Sequence, residues 1–321
     1  MSIARSRWAL VWPFLAACAS PPPAARAPQP PAASAALGPA PSASASVAAP
    51  PAVAAPPAVA APRACGALDC LAFSTPESAF DYVLQRQPRV LAIGEAHAQA
   101  GTTGIRSSTR RFAEQLLPRV AGKAKHIVIE LLLANCQART VERAAEVQAP
   151  VTEHQAKGNQ NEFLTLGKYA QRLGIEPQAL APDCAEYERV GAAGEEGVAR
   201  LLTLVAQTTE SAVEKLLAPP APSDELVLTY GGALHNDLAP RAGQESWSFG
   251  PQLSAASGGR YIELDLIVPE FVKDTEAWRA LPWFAAFDRE HLTSETLLYR
   301  TGPSSFTLIF PKTETAPGQG L

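Results

Sequence analysis

Six ionisable side chains fall at or near the ends of strand-like apolar runs. Glu95 and His97 follow Val90–Ile93, and Glu130 lies in His126-Ile-Val-Ile-Glu-Leu-Leu-Leu133. Asp183 follows Gln178–Ala181, and His235 and Asp237 follow Glu225-Leu-Val-Leu-Thr-Tyr-Gly231. Residues two apart on an extended chain point the same way, so Glu95 and His97 share a face if the strand reaches them. Two histidines and a carboxylate suit a divalent transition metal such as Mn, Co or Zn. On that reading His97, Glu130 and His235 are ligands, and Glu95 is the general base for metal-bound water. Glu130 needs a partner in any case, because a carboxylate in so apolar a run is costly to bury alone. An ion pair with Arg106 or Arg110 is the plainer alternative. His154 sits in the polar stretch 152–161 as a further candidate, whereas His126 and His291 read as surface residues, and Asp183 can equally cap the helix after it.

These residues converge only if the strands run parallel, so that their carboxyl ends share one edge of the sheet. The pattern predicts that arrangement. Helices are expected from Pro76 to about Gln87, from Ile105 to about Leu117, from Ala138 to Val147 (ended by Pro150), from Glu162 to Leu173 and from Gly194 to Leu217. The first carries a Ser/Thr-Pro-Glu start and the last a continuous apolar face. Between and after them lie the runs above and the strand-like segments 260–268, 296–300 and 305–310. The last two are separated by Thr301-Gly302-Pro303, a hairpin signal. Strands alternating with helices predict an α/β fold, a mainly parallel sheet flanked by helices on both faces, with a C-terminal hairpin.

Not all 321 residues are expected to fold. Residues 1–17, with Arg5 and Arg7 before the apolar run 8–17, read as a secretory signal too short to span a bilayer. Leu15-Ala-Ala-Cys18 matches a bacterial lipobox, which predicts lipidation of Cys18 by diacylglycerol and a fatty acyl chain such as palmitate. Residues 18–63 are then the lipidated Cys and a disordered Pro/Ala-rich tether, since Pro removes donors and Ala offers little to bury. At about 3.1 Å per residue, ~40 residues reach up to ~120 Å. The domain is expected over 64–312 and a disordered tail over 313–321. The predicted location is the bacterial envelope, lipid-anchored, with the outer membrane favoured by Ala19 and Ser20 after the Cys. Four further cysteines, Cys65, Cys70, Cys136 and Cys184, suit two disulfides in an exported domain. Three pairings are possible, and sequence distance favours Cys65–Cys70 with Cys136–Cys184. The formal net charge of −4 and the lack of a basic cluster argue against a nucleic-acid partner. The sequence leaves the oligomeric state open.

Gly94-Glu-Ala-His97 and Gly232-Ala-Leu-His235 are both G-x-x-H after a strand, with Glu130 in a strand between them. This pattern resembles the superfamily that joins ChaN-type haem-uptake lipoproteins, erythromycin-esterase-like enzymes and Tiki/TraB-type proteins, over about 88–237. Gly-Glu-x-His is similar to the ChaN and esterase branches. The paired G-x-x-H motifs are similar to the Tiki/TraB branch, which has no Glu inside its first motif. The resemblance implies that His97 and His235 match motif histidines of a metal-dependent peptidase site, that Glu95 matches a residue of catalysis or ligand binding, and that Glu130 matches the acidic residue of the second strand. The leading expectation is a metal-dependent hydrolase centre for a peptide or ester bond. The alternative is a non-enzymatic haem-binding, iron-uptake lipoprotein, with Tyr230 or a histidine such as His154 as iron ligand and Trp247, Phe249, Trp278 or Trp283 against the haem face. A third expectation is a scaffold in which the glycines serve tight turns and the histidines bond across loops.

Overall fold

A computed structural model describes residues 61–102, 104–221 and 224–313. The expected signal, Cys18, nearly all of the tether, and the tail from 314 lie outside the described residues. Among those described, strands β1 (Arg63–Ala64), β2 (Leu71–Phe73), β3 (Val90–Glu95), β4 (Ala124–Leu132), β5 (Glu176–Leu180), β6 (Leu226–Gly232), β7 (Tyr261–Ile267), β8 (Thr296–Arg300) and β9 (Ser305–Ile309) form one sheet. Its order is β1-β2-β8-β9-β7-β3-β6-β4-β5. The run from β9 to β5 is parallel throughout, while β8, β2 and β1 are added antiparallel at one edge. The fold is α/β with a mainly parallel sheet, and the expected hairpin is β8–β9.

The helices are α1 (Pro76–Leu84), α2 (Ser108–Arg111), α3 (Ala138–Thr152), α4 (Asn159–Arg172), α5 (Cys184–Ala192), α6 (Gly197–Leu217), α7 (Gly250–Ala256) and α8 (Glu276–Arg279). Alternation along the strands divides the core. Leu91 and Ile93 of β3 and Tyr230 of β6 pack with α1 and α4 on one face. Val90 and Ala92 of β3 pack with α5, α6 and α7 on the other. In α6, Leu201, Leu202, Val205, Val213 and Leu217 are buried, each worth roughly 1.5–3 kcal/mol relative to exposure.

Local chemistry accounts for several boundaries. Thr75 caps α1 by accepting from Ser78 N at 3.2 Å, with Pro76 in the first turn. Asp183 caps α5 by accepting from Ala185 N at 2.8 Å. It acts as a cap there and does not join the other candidates. Pro177 is tolerated in β5 because β5 is an edge strand. Pro150 does not end α3, which runs to Thr152. The ring is exposed in the last turn, so the carbonyl it leaves without a donor meets water. The helix expected over 105–117 is instead α2 followed by a π turn (Phe112–Leu116) and a 3-10 turn (Leu117–Val120). Strands β1 and β2 and helix α7 are too short to show a periodicity in the sequence.

Both disulfides are the pairs favoured by distance: Cys65–Cys70 and Cys136–Cys184, with Cα atoms 5.0 and 5.6 Å apart. The second joins the loop after β4 to the start of α5. No helix among the described residues is long and apolar enough to cross a membrane.

Candidate functional site

β3 extends two residues further than its apolar run, so Glu95 is the last residue of the strand and His97 lies just past it. Both are buried, 1% and 0% exposed. His97 Nδ1 is 2.6 Å from Glu95 Oε1. The other oxygen, Oε2, accepts from the Tyr230 hydroxyl at 2.5 Å and from the Thr109 hydroxyl at 2.7 Å. A carboxylate with two hydroxyl donors on one oxygen is an acceptor at the other, so His97 Nδ1 is the donor. Its Nε2 is thereby turned away from Glu95. Burial pulls the His97 pKa down, but the hydrogen bond and charge of Glu95, with Glu130 behind it, more than compensate, and the net shift is up from 6.5. Burial first, and then Glu95, push the Tyr230 phenol well above its ordinary range, so it stays a neutral donor. Phe112 and Phe163 pack on its ring at centroid distances of 4.9 and 5.7 Å.

Glu130 and His235 belong to the opposite face. Glu130 sits in register beside Gly231, on the α6 side of the sheet, because the flanking Ile129 and Leu131 point toward α1 and α4. Gly231 has no side chain for a reason: a Cβ there would lie 2.3 Å from Glu130 Oε2. That oxygen accepts from Gly232 N at 2.7 Å. His235 Nδ1 is 2.7 Å from the Trp247 carbonyl oxygen, which can only accept, so Nδ1 carries the proton. Nε2 then faces Glu130 Oε1 at 3.8 Å. Neither atom has a hydrogen-bond partner within the protein, and neither has Thr229 Oγ1. All three groups line one cavity of ≈ 10 Å³, space for a single water-sized group.

The expected ligand set of His97, Glu130 and His235 does not assemble. Among the described residues, no group of three or more His, Cys, Asp or Glu side chains is arranged to hold a metal ion. The reason is the period of two along a strand: Glu95 is at an odd position of the sheet edge and Glu130 at the other parity, so the two Glu–His pairs flank the sheet. With both oxygens hydrogen-bonded within the protein, Glu95 orients His97 and is not placed as a base toward a third group.

Other candidates are not brought in. His154 is 71% exposed and lies 3.3 Å from Glu153 Oε1; only its backbone carbonyl reaches the site region, accepting from Ala100 N. Tyr230 is committed to Glu95. Arg106 and Arg110 pair with Glu114, not Glu130. His291 is exposed beside Asp288, and His126 is part-buried at the far end of β4, 3.6 Å from both Glu176 and Glu225. Sequence reading missed Thr109, which comes from a different segment and carries no motif, and the carboxyls Glu263 and Asp265 of β7. Strand alternation within Tyr-Ile-Glu-Leu-Asp-Leu-Ile267 put those two on one face, a signal that was available.

Gly94 serves close approach and not a turn. A Cβ on it would lie 2.6 Å from Ala233 Cα, 2.6 Å from Asp265 Oδ1 and 2.7 Å from Asn236 Oδ1. Glu130, Gly231, Gly94 and Asp265 stand side by side across β4, β6, β3 and β7. The two central glycines thus open a trough, with a carboxyl at either side and the segment after β6 crossing above it.

His97 is covered by two loops that are bonded to each other. Ala156 N donates to the Ala98 carbonyl at 2.8 Å, Ala100 N to His154 O at 2.9 Å, and Gln99 bridges Gln155.

No family model and no curated protein matches the chain. Among solved structures, a crystal structure of a Bacillus cereus protein is similar, at 10% identity and a TM-score of 0.36, over 74% of this chain and 93% of that one. At that level the fold and site rest on the chain's own geometry.

Proposed function

We propose that the Glu130–His235 pair forms the acid–base centre of a hydrolase acting on an ester or peptide bond. The observation that carries this reading is the convergence of His235 Nε2, Glu130 Oε1 and Thr229 Oγ1, all buried and unpartnered, on a cavity of one-water size. A water hydrogen-bonded to His235 Nε2 and Glu130 Oε1 would lose a proton to Nε2 as its oxygen attacks a carbonyl carbon. Glu130 would steady the imidazolium that forms. The proton taken up by His235 Nε2 would then pass to the leaving group as the C–O or C–N bond breaks.

The chemistry sits in an exported setting on this reading. The lipobox at Cys18 and the two disulfides support a lipid-anchored envelope protein, the Pro/Ala stretch holding the domain off the membrane. Loss of metabolic palmitate labelling in Cys18→Ser checks the anchor.

The function is tested on the full-length protein with a panel of chromogenic esters and short peptides, with and without added Mn, Co or Zn. The expected result is turnover in the parent that falls at least ~100-fold in His235→Ala while that variant keeps the parent's circular dichroism. Turnover unchanged in a folded His235→Ala protein would overturn the assignment. A rate that rises in proportion to bound metal would replace it with a metal-centred one.

A further inference from the structure

A second cavity lies at the carboxyl ends of β3, β6 and β7, with a volume of ≈ 110 Å³. It stands on the crevice where the chain leaves β3 for one side of the sheet and β7 occupies the other, the position at which open parallel sheets take ligands. Its walls include the indoles of Trp247, Trp278 and Trp283 and the side chain of Leu281. Trp278 and Trp283 pack edge to face at 5.8 Å and belong to a small core of their own. Set into this apolar wall are two carboxyls, Asp237 and Asp265.

Asp265 Oδ1 accepts from Asn236 Nδ2 at 3.1 Å. Burial first, and then the charges of Glu263 and Asp237, push the Asp265 carboxyl well above the ordinary carboxylate range. Asp237 lies beside Glu263, whose charge acts on it and whose Oε2 accepts from Leu238 N and Ser305 Oγ. Arg241, the cation that acts on Asp237, is itself exposed at the rim. The carboxamide oxygen of Asn236, which lines the neighbouring small cavity, is buried and has no donor. It and Asp265 Oδ1 lie 2.7 and 2.6 Å from one point above Gly94. An acidic, acceptor-rich floor under three indoles favours one ligand chemistry: an ammonium on an apolar body. The ammonium brings donors and positive charge, and the indole faces favour both a cation and an apolar ring.

We propose that this cavity is a binding site for a small organic amine with an aromatic or branched apolar body, its ammonium taken by Asp265 and its body by Trp247, Trp278 and Trp283. The site is separate from the Glu–His centre and does not depend on the function assigned there.

The test is titration of the full-length protein with benzylamine and with its neutral isostere benzyl alcohol, read by tryptophan fluorescence, since three of the five tryptophans line the cavity. The expected result is saturable binding of benzylamine with Kd at or below ~1 mM, and benzyl alcohol at least ~10-fold weaker. Asp265→Asn should remove that preference while thermal melting shows a folded protein. Ala277→Leu, which fills the mouth and leaves the carboxyls in place, should weaken benzylamine at least ~10-fold and serves where the Asp265 variant does not fold. Equal binding of the two ligands, no binding of benzylamine, or full benzylamine affinity in a folded Asp265→Asn or Ala277→Leu protein would each overturn the proposal.

Discussion

The two Glu–His pairs at the end of this sheet have the same composition and opposite character. On the α4 face every acceptor of Glu95 is engaged: His97 holds one oxygen, and Tyr230 and Thr109 hold the other. On the α6 face Glu130 has one oxygen engaged by Gly232 N and the other turned, unpartnered, toward His235 Nε2. A buried charge that is fully hydrogen-bonded rigidifies its surroundings, whereas one left partly open is costly and is retained where another group must bind. The first pair is therefore built as structure that fixes an imidazole. The second is built with a gap.

The sharpest way to break this contrast is the same substitution on both sides. Glu95→Gln should cost about 3–5 kcal/mol, because it removes the charge that Nδ1–H, Tyr230 and Thr109 all serve. Glu130→Gln should fall within about 1 kcal/mol of the parent, or gain, since the new amide can donate toward His235 Nε2. Urea unfolding of the two variants decides it; equal losses would mean the faces do not differ. The Glu95→Gln loss should also depend on pH. The His97 pKa is raised in the folded state, so its contribution is complete below 6.5 and is lost as pH rises through the folded value. The deficit should be larger at about pH 6 than at about pH 9.

The glycine trough offers a second comparison. Gly94→Ala drives a methyl group into the Ala233 backbone, and should cost about 3 kcal/mol; Gly231→Ala meets the Glu130 side chain, which can swing, and should cost about 1–2 kcal/mol. Melting temperatures of the two alanine variants rank them. Tyr230→Phe removes one of two donors to Glu95 Oε2 and should cost about 1–2 kcal/mol. It should also raise the pH at which His97 titrates by NMR very little, since Thr109 still holds that oxygen.

The smallest effect is expected at Asp237, whose pKa burial pushes up to about 7, with the Glu263 charge adding to it. A carboxyl raised in the folded state binds its proton more tightly there than in the unfolded chain. Its cost therefore grows as pH rises from the ordinary 3.8 through about 7. Asp237→Asn should be neutral near pH 4 and more stable than the parent by about 1 kcal/mol near pH 8, discounted for its partial exposure. Thermal melts at both values check the sign, and a variant less stable at the higher pH would contradict it.

Much of this was legible in the amino-acid order, and for identifiable reasons. Apolar runs such as Leu226-Val-Leu-Thr-Tyr230 admit little but a buried strand, and α6 shows a helical stripe over its whole length. Strand–helix alternation implies a parallel sheet, and a parallel sheet brings strand ends together, so Glu95, His97, Glu130 and His235 could be singled out before any coordinate. Proximity in the chain pointed to the disulfide pairs. What the order of residues could not convey was which side of the sheet each group takes. That depends on register between β3, β6 and β4, strands separated by long stretches of chain, and a shift of one residue would exchange the faces. Parity turned an expected three-ligand centre into two separate Glu–His pairs. Register also set Gly231 and Gly94 between Glu130 and Asp265, and packing of α2 and α4 delivered Thr109 and buried Tyr230 against Glu95. Residue types announce which groups need partners; only the packed sheet decides which partners they meet and which valences stay open.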